Sequence, residues 1–413
     1  MLDSEFYDEL EIRDPDERER VLFEALRRTL GVCKEDAPYF QTLFKDFDPG
    51  DVKTRDDLEK LPVTRKSDLP ELQEKDPPLA GMNTVAVSNF ARLYQSPGPI
   101  YEGEAEGADW WRLGRAMHAA GIRPGDIVHN AFSYHLTPAG MMVEGGARAI
   151  GCAVIPAGTG QTEQQVQTLA HLRASAYAGT PSFLKILLDK ADETGADVSS
   201  LNKALVSGEA LPPALRDEFK GRGVSVLQAY ASADLGLIAY ESKAMEGLIV
   251  DERLIVEIVR PGSGEAVAEG EIGEVVVTSI NRDVPLIRFA TGDLSSVMPG
   301  PSPCGRTAMR LTGWKGRADQ STKVKGMFVT PTQIADIRNR HPEILKARLV
   351  IDRDAGADVM TLHCETAEAG DDLAAAVAET LQALCKIKGG VVFEKPGSLA
   401  NDGLVIEDKR SVE

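Results

Sequence analysis

The sequence predicts an α/β protein of 413 residues: a large N-terminal domain over residues 1–318, made of parallel α/β sheet plus a β-rich subdomain, and a small α+β C-terminal domain over residues 319–413. Three observations predict it. From Trp110 to Ser232, short strand-like runs alternate with helix-length ones, the pattern of a largely parallel sheet with ligand loops at the strand C-termini. After Gly247 the text turns β-rich and glycine-punctuated. The length exceeds what one hydrophobic core organises, and the final stretch carries its own strand and helix signals.

Taken in order, the N-terminal stretch reads as helices. "DERERVLFEALRRTLGVC" has apolar residues at helical spacing with Gly31 near its end, and Thr54 and Thr64 are expected helix caps with Pro62 interrupting between them. "DPPLAGMNTVAVSNFARLYQ" then turns strand-like. In the alternating region, "DIVHNAF", "AVIPAG", "SAYAGT", "NKALV" and "VSVLQAYAS" are strands, separated by the helices "GMMVEGGARAIGC", "TEQQVQTLAHLRA", "SFLKILLDKADETG" and "PPALRDEFKGRG". "LIVDERLIVEIV" to "GEVVVTSI" reads as an antiparallel subdomain, and "PGPSPCG" as a surface loop. The tail holds the strands "ARLVIDR", "DVMTLHCET" and "GGVVFEK" around the helix "DDLAAAVAETLQALCKI".

A net charge of −18 argues against nucleic acid or an anionic membrane as the main partner, although a local pocket can still be basic. No window is long and apolar enough for a membrane-spanning helix, and the acidic start lacks a signal-peptide layout. The five cysteines are scattered without a CxxC, which indicates neither a disulfide framework nor a zinc cluster and predicts reduced thiols and a cytoplasmic setting.

Four stretches carry chemistry: "SGEAL" (207–211), "YASADLG" (230–236), "RFATGDLS" (288–295) and "GRADQSTKVKGMFVTPTQI" (316–334). Ser207, Gly208 and Glu209 follow a buried strand, where backbone groups can meet a planar base. Tyr230 ends a strand and offers a flat face for stacking, with Ala231 and Ser232 beside it. Asp234 lies in a small-residue loop and is a candidate Mg²⁺ ligand beside phosphates. Asp293 can accept two hydroxyl hydrogen bonds, as a ribose needs. Arg317 supplies a planar, permanently charged donor. Asp319 sits at the change of composition, where a hinge is expected. His135 is either a residue that meets a carboxylate or part of a pocket wall.

These motifs, with "IRPGDIVHNAFSYHLTPAGMMVEGGARAIGCAVIPAGTGQTEQQ", "IGEVVVTSINRDVPLIRFATGDLS" and "PGSLANDGLVIEDKR", resemble the adenylate-forming (AMP-binding) superfamily and, within it, the phenylacetate–CoA ligase family, over nearly the whole chain. The resemblance implies a two-step reaction. A carboxylic acid attacks the α-phosphate of ATP, giving acyl-AMP and pyrophosphate. The C-terminal domain then rotates and the CoA thiol takes the acyl group. It implies ATP, Mg²⁺ and CoA as cofactor and substrates, and it admits a homodimer. By position it puts Tyr230 on adenine, Asp293 on ribose and Arg317 on ribose or phosphate, with Asp319 as the hinge. Tyr134, His135 and Gly158 would line the acyl pocket, and Lys325 would lie in the loop that approaches CoA.

Three positions depart from the family's pattern. Its phosphate loop reads like SSGTTGKP; here "QSPGP" stands in its place, with Ser96 and Gly98 as remnants, two prolines that lack an N–H, no lysine, and Glu102, Glu104 and Glu106 nearby. Leu404 stands where a bridging lysine is expected. Asp234 replaces the usual glutamate and reaches one methylene less far. Three readings follow: an AMP-forming acyl- or aryl-CoA ligase with re-tooled adenylation; an impaired homologue that binds nucleotide or CoA; or an adenylating enzyme whose acceptor is not CoA.

Overall fold

The computed structural model describes residues 5–97, 99–318, 320, 322–324, 327–354, 357–400 and 404–410. Gly98, Asp319 and Lys325, expected in the phosphate loop, the hinge and the CoA-side loop, lie outside the described residues.

The N-terminal helices form largely as the periodicity predicts. Asp14 caps the helix Pro15–Asp36 by accepting from the amides of Asp16 and Glu17. That helix continues past Gly31, because Leu22, Leu26, Leu30 and Cys33 keep one face in the core. Thr54 caps Arg55–Glu59 in a reciprocal box with Asp57. Thr64, expected to cap a helix, instead joins a strand. Its N–H donates to the Arg288 carbonyl, and Thr64–Arg65 runs parallel to Phe289–Ala290. The open edge of Phe289–Ser295 takes up a backbone that its own sequence does not hold in a helix. The stretch 76–91, expected to be strand-like, is mostly irregular; regular pairing begins at Arg92.

Five parallel strands form the main sheet, in the order Ala153–Pro156, Ile127–Asn130, Ala176–Gly179, Lys203–Val206 and Ser225–Ser232. Helices Ala139–Ala149, Thr162–Leu172, Pro181–Thr194 and Pro213–Gly221 make the crossovers. The strand order reverses direction at Ile127–Asn130, so a crevice opens at its C-terminal end, where Ala131 to Thr137 follow. The sheet continues antiparallel through Gly236–Glu241, Leu248–Val250, Arg310–Leu311 and Val297–Met298. A second sheet sets Leu254–Val259, Gly273–Ser279 and Phe289–Ser295 side by side, with Thr64–Arg65 at its edge. This is the β-rich subdomain expected after Gly247.

The C-terminal residues make a four-stranded sheet in the order Gly390–Glu394, Ala357–Glu365, Lys346–Asp354 and Ile406–Asp408, covered by Pro331–Arg340 and Asp371–Cys385. Ile334, Ile337, Leu349, Leu362, Val377 and Leu381 form its own apolar core. The five cysteines are free thiols. No helix among the described residues is long and apolar enough to cross a membrane.

Candidate functional site

Three groups of side chains converge at the strand ends. At the first, Asp293 projects from Phe289–Ser295. Its Oδ2 accepts from the Tyr230 hydroxyl at 2.8 Å; its Oδ1 accepts from Trp314 Nε1 at 3.0 Å and from Arg317 Nη1 at 3.3 Å. Burial, reinforced by the Asp293 charge, pushes the Tyr230 phenol well up, so it stays neutral and donates. Gly292 permits this approach: its φ is +78°, and a Cβ there would stand 2.7 Å from Arg317 Nη2. Trp314 itself is 59% exposed, a flat apolar face resting beside the carboxylate. A cleft of about 230 Å³ lies alongside, lined by Arg65, Lys66, Ser67, Thr291, Gly292 and Arg317. Its basic rim suits an anion on an otherwise acidic protein.

The second group is the hairpin Arg92–Ser96 with Ile100–Glu104. Ser96 pairs with Ile100, so residues 97–99 are the whole connection. Ser96 turns inward and its hydroxyl donates to Glu102 Oε1. Glu102 is 6% exposed, and its Oε2 meets no hydrogen-bond partner among the described residues. Burial pushes this carboxyl up to about 7; the Ser96 hydrogen bond works against the shift, and the nearby Asp234 charge adds to it. Asp234 lies in the turn between Ser225–Ser232 and Gly236–Glu241, with its side chain 3% exposed. Its Oδ2 takes Lys66 Nζ at 2.5 Å, while its Oδ1 is buried and, among the described residues, unpartnered. Two carboxylate oxygens without donors, at a position expected to face phosphates, fit the demand of a hard cation such as Mg²⁺ for oxygen ligands.

The third group follows the switch-point strand. Asn130 Nδ2 donates to the Tyr134 hydroxyl at 2.7 Å and to the Gly140 carbonyl at 2.8 Å, and the Asn130 carbonyl accepts from Gly158 N at 3.0 Å. Gln165 donates to the carbonyls of Gly158 and Gly160 and meets buried His129 Nε2 at 2.7 Å. Tyr134 in turn donates to Glu144 at 3.1 Å. His135 is exposed and lines a cleft of about 620 Å³ with Leu136, Thr137, Ser96, Pro97 and Pro99. Ser207 donates to the Ala229 carbonyl, and Glu209 accepts from Ser182 N at 3.3 Å. Gly208, between them, has φ +81°. Ala231 and Ser232 end their strand half-buried, after a bulge at Tyr230.

Lys66 ties these groups together. It lines the basic cleft, pairs with Asp234, and lies within electrostatic reach of Glu102, whose partner Ser96 lines the other cleft. Sequence reasoning missed Lys66, Trp314, Asn130 and Gln165. Lys66 comes from a strand-edge segment far from the motifs, and its only sequence signal is a lysine in "VTRKSD".

The family model described as AMP-binding enzyme matches residues 110–281. The phenylacetate–coenzyme A ligase of Aromatoleum evansii is 29% identical over 86% of this chain and 83% of its own length. That of Thermus thermophilus is equally similar, 29% over 86% and 83%. Among solved structures, 2-hydroxyisobutyryl-CoA ligase in an open conformation with 2-HIB-AMP and CoA superposes with a TM-score of 0.85 at 25% identity, covering 98% of this chain and 95% of that one. In its thioesterification state the TM-score is 0.72 at the same identity, over 99% and 93%.

Proposed function

We propose that this chain, which matches the AMP-binding enzyme family over residues 110–281 and is 29% identical to phenylacetate–CoA ligases over most of its length, is an adenylate-forming enzyme whose three groups of side chains form the working site of an AMP-forming acid–CoA ligase. The protein joins a carboxylic acid to CoA at the expense of ATP, through acyl-AMP. The observation that carries the assignment of roles is the position of Lys66, which lines the basic cleft with Arg317 and pairs with Asp234; the Asp234 charge acts on Glu102, whose partner Ser96 lines the cleft at His135.

In this reading Asp293 accepts the ribose hydroxyls, sharing or replacing its bonds from Trp314 and Arg317. Tyr230, Ala231 and Ser232, with the loop Ser207–Glu209, frame the base. Arg317 and Lys66 face the phosphates, and Lys66 supplies the positive charge that the shortened hairpin lacks. Asn130 and Gln165 fix the walls that hold the acid, from Tyr134 to Gly158. Asp234 holds Mg²⁺, which when bound neutralises phosphate charge as the acid attacks. Lys325 approaches CoA, and the C-terminal domain, residues 319–413, turns about Asp319 between the two half-reactions. A cytoplasmic setting and a homodimer belong to the same reading.

The three-residue connection at 97–99 and Leu404 favour a second reading, in which nucleotide or CoA is bound without efficient adenylation; an acceptor other than CoA is a third. One experiment separates them: AMP and pyrophosphate release measured with ATP, Mg²⁺ and a panel of carboxylic acids, with and without CoA. The ligase reading expects AMP release that an acid starts and CoA accelerates. Calorimetric nucleotide binding with no AMP release for any acid would support the second reading, and release indifferent to CoA the third.

A further inference from the structure

The connection at 97–99 poses a physical problem. A phosphate cradle works by aiming several backbone N–H groups at one anion. Residues 97–99 include two prolines, so they carry a single N–H among them. The carboxylates beneath make matters worse: Asp234 and Glu102 outweigh Lys66, leaving this corner with a net negative charge when both are ionised.

Two oxygens in that corner are unusual. Glu102 Oε2 and Asp234 Oδ1 are buried, belong to different elements, and accept no hydrogen bond from any described residue. Buried carboxylate oxygens are ordinarily satisfied, because stripping them of water without a partner is costly. Their sister oxygens are satisfied, Glu102 Oε1 by Ser96 and Asp234 Oδ2 by Lys66. Glu104, two residues along the same strand, shows the contrast: Arg92 donates to one of its oxygens at 2.8 Å, and the Tyr94 hydroxyl to the other. The deficit here falls on two carboxylates close enough for the charge of one to act on the other; among the described residues the one other buried carboxylate oxygen without a hydrogen-bond partner is Asp109 Oδ1.

We propose that Glu102 and Asp234 together seat a divalent cation at the foot of the hairpin, and that this cation, rather than loop amides, receives the pyrophosphate end of the nucleotide. The inference rests on the ligase reading for what the cation does, but not for whether it binds. No described group gathers three or more His, Cys, Asp or Glu side chains for a metal. Mg²⁺ does not need one, since it keeps several waters and takes one or two carboxylates plus substrate phosphates. With the cation in place the corner holds two carboxylates, one ammonium and a divalent ion, and its net charge turns from −1 to +1. Lys66 keeps its own oxygen of Asp234, so it does not compete for the seat. The hairpin thus contributes to phosphate binding through a side chain on its second strand instead of through its tip.

The test uses the full chain without nucleotide, titrated with Mn²⁺ and followed by electron spin resonance of the free ion. The unaltered protein is expected to take up one Mn²⁺. Glu102→Gln is expected to weaken that uptake at least tenfold; its amide oxygen still accepts from Ser96, so the hairpin keeps its internal bond. Asp234→Asn is expected to do the same, whereas Glu104→Gln leaves uptake unchanged. Lys66→Met serves as a second arm should Glu102→Gln misfold: removing the neighbouring positive charge is expected to tighten Mn²⁺ severalfold. No uptake by the unaltered protein overturns the proposal, and so does uptake that Glu102→Gln leaves intact or that Lys66→Met fails to tighten. Because the readout needs no turnover, these failures are distinct from failure of the ligase reading. Uptake lost in Glu102→Gln upholds the seat even if no acid yields AMP.

Discussion

Asp293 holds three donors at once, and a ribose must share or displace them. Replacing Asp293 by Ala removes the acceptor, so nucleotide binding measured by calorimetry should weaken by about 1.5–3 kcal/mol. Unchanged affinity would move the ribose elsewhere. Leu404 offers the opposite kind of change. It is 40% exposed, on the approach to the strand Ile406–Asp408, and can accept a longer side chain without disturbing the core. Leu404→Lys should raise acyl-AMP formation at least tenfold, about 1.4 kcal/mol of transition-state stabilisation. Thioester formation from supplied acyl-AMP should barely change. If the unaltered enzyme is already brisk and Leu404→Lys is silent, Lys66 is the cation in charge. Lys66→Ala should then lower adenylation by about 10²–10³-fold. At this scale the sequence exposes residues whose type announces their chemistry, such as Asp293 and Arg317. It hides Lys66 and Asn130, because a lysine or an asparagine gains its role only from what long-range folding sets beside it.

Among the elements, the short turn Glu9–Ile12 is the clearest case of structure that periodicity does not reveal. Its Glu11 is fully buried and meets Arg306 Nε at 3.0 Å, the Tyr240 hydroxyl at 2.7 Å and Arg115 Nη1 at 3.3 Å. As text, "FYDELEIRD" is an acidic leader with no apolar pattern. Its partners come from three distant parts of the chain. Removing one side of a buried ion network strands the other charges, so Glu11→Gln should destabilise the protein by about 3–5 kcal/mol in thermal or denaturant unfolding. A loss under 1 kcal/mol would mean that the turn is only draped on the surface. The crossover helices and their strands were legible because each repeats a period that burial enforces. Thr64 was misread because a cap and a strand-edge residue look alike until the neighbouring edge is known.

At the scale of the whole molecule, the C-terminal four-stranded sheet and its two helices carry an apolar core of their own. A core separate from those of the N-terminal sheets, joined to them by contacts such as Thr332 to the Lys315 carbonyl, is what the proposed rotation requires. Asp319→Pro fixes one φ and removes an N–H at the proposed pivot, so it should slow one half-reaction far more than the other. Equal slowing of both, or of neither, would place the pivot elsewhere. The sequence displays the seam as a change of texture. It does not display the angle between the two units, which depends on surfaces rather than on local patterns.

The indole of Trp314 has one more consequence. Trp111 is buried and Trp110 packs edge-on against it, so the exposed Trp314 is the ring whose surroundings change most when a sugar reaches Asp293. Loss of its bond to the carboxylate would alter its emission. The protein therefore carries its own optical gauge of site filling. Stopped-flow fluorescence should show a nucleotide-dependent change that vanishes in Trp314→Phe and survives in Trp110→Phe, timing ribose arrival apart from any chemistry that follows.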